Sequence, residues 1–122
     1  TGDYSAATNT GDYSAATNTG DKSAATNTGD YSAATNTGDY SAATNTGDKS
    51  AAIVEGKESI ALATGIKSKA KGKIGCFIVL AEWKKINYEY HLVDVKSTKV
   101  DGENIKEDTF YMLKEGKFVE VD

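Results

Sequence analysis

The sequence predicts an all-β chain whose larger part is a parallel β-solenoid, a β-roll of nine-residue repeats wound two to a coil and closed by a small antiparallel β cap. Three observations carry this expectation. Small residues recur every nine positions: glycine at Gly2, Gly11, Gly20, Gly29, Gly38, Gly47, Gly56 and Gly65, and serine at Ser5, Ser14, Ser23, Ser32, Ser41, Ser50, Ser59 and Ser68. Alanine keeps the same step from Ala7 to Ala70, and a short fixed period on a small-residue template marks a repeat fold. Second, the wording TGDYSAATN is lost after Lys49, yet Ser59 and Ala61, then Ser68 and Ala70, hold their phase. Their neighbours meanwhile change to Glu58, Ile60, Leu62 and Thr64, then to Lys67, Lys69, Lys71 and Lys73. Side chains alternate across a strand, so the constant pair is the interior and the changing positions, four lysines among them, are an outward face. Third, an interior of Ser and Ala is thin, which suits a flattened two-sided roll in which facing strands approach closely.

Within a repeat, Tyr4 to Thr8 reads as the strand and Asn9-Thr10-Gly11-Asp12 as the turn, with glycine taking positive φ. Stacked coils would rise about 4.8 Å each, pairing backbone groups in parallel ladders. Little apolar area is buried, so ladder hydrogen bonds and coil stacking must supply much of the stability. A composition this rich in Gly, Asn, Thr and Ser also suits flexible chain, but disorder needs only composition and not a strict register. The first variable position runs Tyr4, Tyr13, Lys22, Tyr31, Tyr40, Lys49. Two repeats per coil set each lysine beside tyrosines for cation–π contact, whereas three per coil would stack lysines on one another. The 27-residue super-period by itself fits three per coil. A trimeric β-prism, one face from each chain, is the alternative architecture for small inward residues.

Near-identical repeats span 1–52 and degenerate ones 53–75, with a capping domain over 76–122. From Ile53 onward the outward positions Ile53, Ile60 and Leu62 turn apolar, and the segment beginning at Cys76 is expected to cover them. Cys76 to Ala81 reads as a buried strand and Tyr88 to Lys96 as an alternating one. Thr109 to Leu113 and Lys117 to Val121 flank Lys114-Glu115-Gly116 as a hairpin, and Val100-Asp101-Gly102 marks another turn. Such a cap closes the end of the roll against end-to-end stacking.

Charge is unevenly spread. Residues 1–49 carry six Asp and two Lys, while residues 50–122 carry twelve of each sign, so the net −4 lies in the repeats and argues against a nucleic-acid or anionic-membrane surface there. The longest apolar run, Cys76 to Ala81, is too short to span a bilayer, and no membrane insertion is expected. The first residue is not Met, so the chain is expected to begin inside a longer polypeptide or to be an engineered one, with no targeting signal in this stretch. The identity of the first repeats fits either a designed array or recent duplication.

At Ser59-Ile60-Ala61-Leu62-Ala63-Thr64-Gly65 and Ser68-Lys69-Ala70-Lys71-Gly72 the chain resembles the S-x-A-x-G units of the left-handed β-roll heads of trimeric autotransporter adhesins, with a longer repeat. It also resembles nonapeptide-repeat proteins of bacteria and their phages, in which TGDYSAATN-like units lead into SIALATG, SKAKG and a block like Val100-Asp101-Gly102-Glu103-Asn104-Ile105-Lys106-Glu107-Asp108-Thr109-Phe110-Tyr111. The resemblance implies a structural repeat protein in a cell-surface or phage-particle setting, self-associating as a homotrimer, and it brings no catalytic residue.

Candidate chemistry is sparse. The Thr-Asn-Thr of each repeat resembles the T-x-T ranks of insect ice-binding solenoids, which makes Thr8, Thr10, Thr17, Thr19, Thr26, Thr28, Thr35, Thr37, Thr44 and Thr46 candidate surface ranks for ice or glycan, together with Tyr4, Tyr13, Tyr31 and Tyr40. If Thr10 and its equivalents belong to the turn, the rank is broken. Gly-Asp in a nonapeptide is similar to calcium-binding β-rolls, but one Asp per repeat makes a poor ligand set, and Asp3 and Asp12 read better as partners of turn N–H groups. The stripe Lys67, Lys69, Lys71 and Lys73 could hold an anion, and reads better as a solvated edge that blocks aggregation. Gly72-Lys73-Ile74-Gly75 has G-x-x-G spacing without helical context. His91 stands alone as the one histidine, Cys76 reads as a small core residue, and Trp83 as a strand end or cap anchor, with ligand stacking the lesser reading. No acid, base and nucleophile set converges, so no enzyme, cofactor or metal is expected. The first functional reading is a spacer, shaft or scaffold module; the second is a binding module for a periodic surface.

Overall fold

The computed structural model describes residues 4, 6–13 and 15–121. Ser5 and Ser14 of the predicted serine column, Gly2 and Asp3 lie outside the described residues. Each nonapeptide contributes one short strand: β1 (Ala6–Asn9), β2 (Ala15–Asn18), β3 (Ala24–Asn27), β4 (Ala33–Asn36), β5 (Ala42–Asn45), β6 (Ala51–Val54), β7 (Ile60–Ala63) and β8 (Lys69–Lys71). Odd strands stack in one parallel sheet and even strands in the other. Ala6 pairs with Ala24 and Ala24 with Ala42 in one, Ala15 with Ala33 and Ala33 with Ala51 in the other. The coil therefore holds two repeats, as the thin interior demanded, and one chain supplies both faces.

The strand sits later in the repeat than its composition suggests. It ends on the asparagine, while the Tyr/Lys position falls in the turn with φ of 62° at Tyr4, 60° at Tyr13, 56° at Lys22 and similar values through Lys67. Glycine's part is a close approach. A Cβ on Gly38 would lie 2.0 Å from the Gly20 carbonyl oxygen in the coil beneath, so this position tolerates only a hydrogen. The left-handed turn is held instead by bonds between coils. Asp39 N–H donates to Asp21 Oδ1 (2.9 Å), and the Asp39 carbonyl accepts from Lys22 N–H (2.9 Å). Ordinary side chains at positive φ are disfavoured, and they persist where surrounding bonds over-determine them.

The interior is a set of columns. Ala25, Ala34, Ala43, Ala52, Ala61 and Ala70 are fully buried, flanked on one side by the serines and on the other by Asn18, Asn27, Asn36 and Asn45. Asparagine, expected in the turn, thus faces inward. Asn36 Nδ2 donates to the carbonyls of Ser23 and Ala42 (3.0 and 3.2 Å), and its Oδ1 accepts from Gly38 N–H (3.3 Å), so one amide closes the corner of the coil. Ser41 Oγ accepts from Ser23 N–H (3.1 Å) and donates to Gly20 and Asp39 carbonyls (3.4 and 3.1 Å). No buried side-chain N or O among the described residues is left without a partner, which a polar interior requires.

Cys76 continues the serine column. Its Sγ accepts from Ser59 N–H (3.5 Å) and donates to the Gly56 carbonyl (3.0 Å), at a step of 17 residues from Ser59 where earlier coils use 18. Cys76→Ser is therefore expected to leave stability within about 0.5 kcal/mol in a denaturant melt. Cys76→Val leaves Ser59 N–H buried without an acceptor and should lose about 1–3 kcal/mol.

After Cys76, β9 (Phe77–Ile86) joins the odd-strand sheet, parallel to β7, with Ile60 beside Phe77 and Leu62 beside Val79. The segment from Cys76 thus does not cover Ile60 and Leu62; it lengthens their stripe, and Ile60 and Phe77 remain 47% and 44% exposed, while Ile53 lies on the other sheet between Thr35 and Lys71. A tight turn at Asn87 and Tyr88, both at positive φ, leads into antiparallel β10 (Glu89–Lys99). The chain then crosses the end of the roll, plugging it with buried Val100 and Ile105; Val100 N–H donates to the Cys76 carbonyl (2.8 Å). β11 (Phe110–Lys114) and β12 (Lys117–Val121) form an antiparallel hairpin on the even-strand sheet, where Tyr111 lies beside Ala70 of β8. Lys69 and Lys71 are the outward pair of the predicted lysine stripe and lie over the Phe110 ring (4.3 and 4.6 Å). Lys67 sits in a left-handed turn and Lys73 is ion-paired with Asp108 (2.6 Å), so the four lysines do not form one strand face.

Candidate surface-binding faces

The candidate threonines lie on the two broad faces. Thr8, Thr26 and Thr44 are in register on one sheet and Thr17 and Thr35 on the other. The second threonine of the repeat stays in the ladder at Thr37 and Thr46. Thr46 N–H donates to the Asn27 carbonyl (3.1 Å) and Thr37 N–H to that of Asn18 (3.0 Å), so the parallel pairing runs one residue past each strand. Thr8 and Thr10, Thr17 and Thr19, Thr26 and Thr28, Thr35 and Thr37, and Thr44 and Thr46 point outward as two columns, with Asn18, Asn27, Asn36 and Asn45 inward between the last four pairs. The columns are spaced about 6.8 Å along the strand and about 4.8 Å between coils, from strand geometry. An outward alanine column completes each face, and the first coils carry no charge there. The ranks end where Thr35 meets Ile53 and Thr44 meets Leu62.

The tyrosines occupy the two narrow edges, so the structure does not bring the threonine and tyrosine ranks onto one surface. Along one edge Tyr13 stacks on Tyr31 (centroids 5.0 Å apart, 3° between planes), and Lys49 Nζ lies 5.3 Å from the Tyr31 centroid. On the other, Lys22 Nζ lies 5.5 Å from the Tyr4 centroid. This is the contact expected of two repeats per coil. Lys49 also donates to Tyr31 Oη (3.1 Å), and that bond holds its ammonium above the usual lysine range. Beside these columns run the aspartates. Asp12, Asp30 and Asp48 share one edge, each carboxylate accepting an N–H from the coil that follows: Asp30, Asp48 and Ile66 respectively. They are turn-locking groups, and among the described residues no cluster of three or more His, Cys, Asp or Glu comes together to hold a metal. His91 is exposed and lies 4.0 Å from Glu89. No described helix is long and apolar enough to cross a membrane.

One feature of the cap escaped the sequence reading. Glu82 is buried on β9, and its carboxylate accepts the N–H groups of Glu115 (2.7 Å) and Gly116 (2.9 Å), tying the two sheets together. The Gly116 and Glu115 bonds stabilise the anion and hold its pKa below the usual carboxylate range. Trp83 Nε1 donates to the Thr64 carbonyl (2.8 Å), fixing the indole beside a cleft. A hairpin turn with two free N–H groups was the signal available for Glu82, while Trp83 reads from its residue type as a strand end or cap anchor.

No family model matches the chain, no curated protein is significantly similar to it, and no solved structure matches it.

Proposed function

We propose that the chain is a structural repeat module, a stiff spacer or shaft in a surface-exposed or phage-associated protein, with no catalytic role. The supporting observation is the unbroken register: β1, β3 and β5 carry the same residues and stack without slip, each coil bonded to the next through serine, asparagine and aspartate columns. Such a stack adds length in fixed steps while its cross-section stays constant. One chain closes its own interior, so a homotrimer would assemble through the outer faces. Deleting residues 20–37 removes one coil, and small-angle scattering should show the particle shortened by about 5 Å with its cross-sectional radius unchanged. A change in cross-section, or no change in length, refutes the reading.

A second reading, recognition of a periodic surface such as ice or a crystalline glycan, is favoured by the extended ladder at Thr37 and Thr46. Placing lysine at Thr26, Thr28, Thr44 and Thr46 should abolish adsorption while leaving the far-ultraviolet spectrum intact if the faces bind; a pure spacer adsorbs in neither form.

A further inference from the structure

β9 runs for ten residues where the coil strands run for four, so its second half overhangs the last coil. The β11–β12 hairpin stands opposite, and between them opens a cleft of about 310 Å³. Its apolar wall is Trp83 from β9 with Met112, Val119 and Val121 from the hairpin. The geometry is fixed on both sides. The indole is pinned to Thr64, and Glu82 bonded to Glu115 and Gly116 clamps the strands at a set separation. The one acidic group in the lining, Glu82, stays anionic with both oxygens held by backbone N–H bonds, so the two lysines leave the lining with a net positive charge. The remaining charges are Lys67 and Lys114, neither of which is ion-paired among the described residues.

We propose that this cleft binds a small aromatic carboxylate, its ring against Trp83 and Met112 and its carboxylate between Lys67 and Lys114. The volume lies at the low end for ligand sites and suits one or two rings. Indole and thioether favour an aromatic body, and two ammonium groups with no carboxylate partner favour an anion over a neutral or cationic ligand. The site goes beyond the spacer reading and does not depend on it.

Trp83 is the one tryptophan, so a single indole N–H resonance reports on the cleft. Titration of the whole chain with phenylacetate should move that resonance saturably. Phenethylamine, the same ring carrying a cation, should bind about tenfold more weakly or less. The double substitution Lys67→Glu and Lys114→Glu should reverse that preference, and Met112→Trp, which fills the cleft, should abolish both shifts while amide dispersion elsewhere stays unchanged. No shift of the Trp83 resonance with phenylacetate overturns the proposal, as does equal binding of acid and amine, or an unaltered preference in the lysine double variant.

Discussion

Gly38→Ala is expected to split the solenoid at one coil boundary. Its new methyl would lie 2.0 Å from the Gly20 oxygen and 2.5 Å from the Gly20 carbonyl carbon, and both are backbone atoms with no rotamer to yield. The coils must separate, breaking Thr37 N–H to Asn18 O and Asp39 N–H to Asp21 Oδ1. Overpacking of this kind costs about 3 kcal/mol or more. In a stack held by nearest-neighbour contacts the damage stays local. Amide exchange at Thr37 and Asp39 should therefore quicken by about two orders of magnitude, while Lys69 and Phe77, bonded to Ser50 and Ser59 further along, keep their protection. Thr37→Ala on the exposed face is the control, expected within about 0.5 kcal/mol of the parent. Equal melts for the two variants would show that the coils are not in contact at glycine.

Asn36→Ala is the second large effect. It orphans the buried Gly38 N–H and removes a donor from the Ser23 and Ala42 carbonyls, a loss of about 2–4 kcal/mol by denaturant melt. Asn36→Asp keeps the acceptor for Gly38 but turns an anion toward two carbonyl oxygens, and should be worse than alanine at neutral pH. Asn36→Val should recover part of the loss, because Val54 already fills the corresponding place one coil further on and is fully buried there. If alanine and aspartate prove harmless, the asparagine column is not what closes the corners.

The winding and the serine and alanine columns were legible because they depend on size and phase alone. Asparagine was misplaced because turn preference was weighed above phase. Its positions continue as Val54 and Ala63, and two apolar residues in that phase are the mark of an inward column. Positive φ was assigned to glycine on steric freedom, whereas Tyr13, Lys22 and their equivalents adopt it because the bonds between coils hold them there. The cap's strands could be read from β-branched content and turn residues, but not which edge each would join: Phe77 extends the sheet of Ile60 through backbone pairing, which residue type does not encode. The threonine ranks were visible as a spacing; that they are flat depends on the Thr37 and Thr46 ladder bonds.

The sameness of β1, β3 and β5 gives the strands of this part of the rod translational symmetry with a step of one coil. A strand displaced by a whole coil meets the same neighbours, so the repeats alone cannot count themselves. Inside the coils nothing before Ile53 and Val54 distinguishes one alignment from the next, and at the edges only the Tyr/Lys order differs. The distinction comes from the C-terminal irregularities, Ile60, Cys76 and the plug of Val100 and Ile105. Assembly that starts from them winds outward in a single register. In the coding sequence, gain or loss of a pair of nonapeptides becomes a change of length that no interior contact opposes, so copy number can drift freely while the fold is conserved.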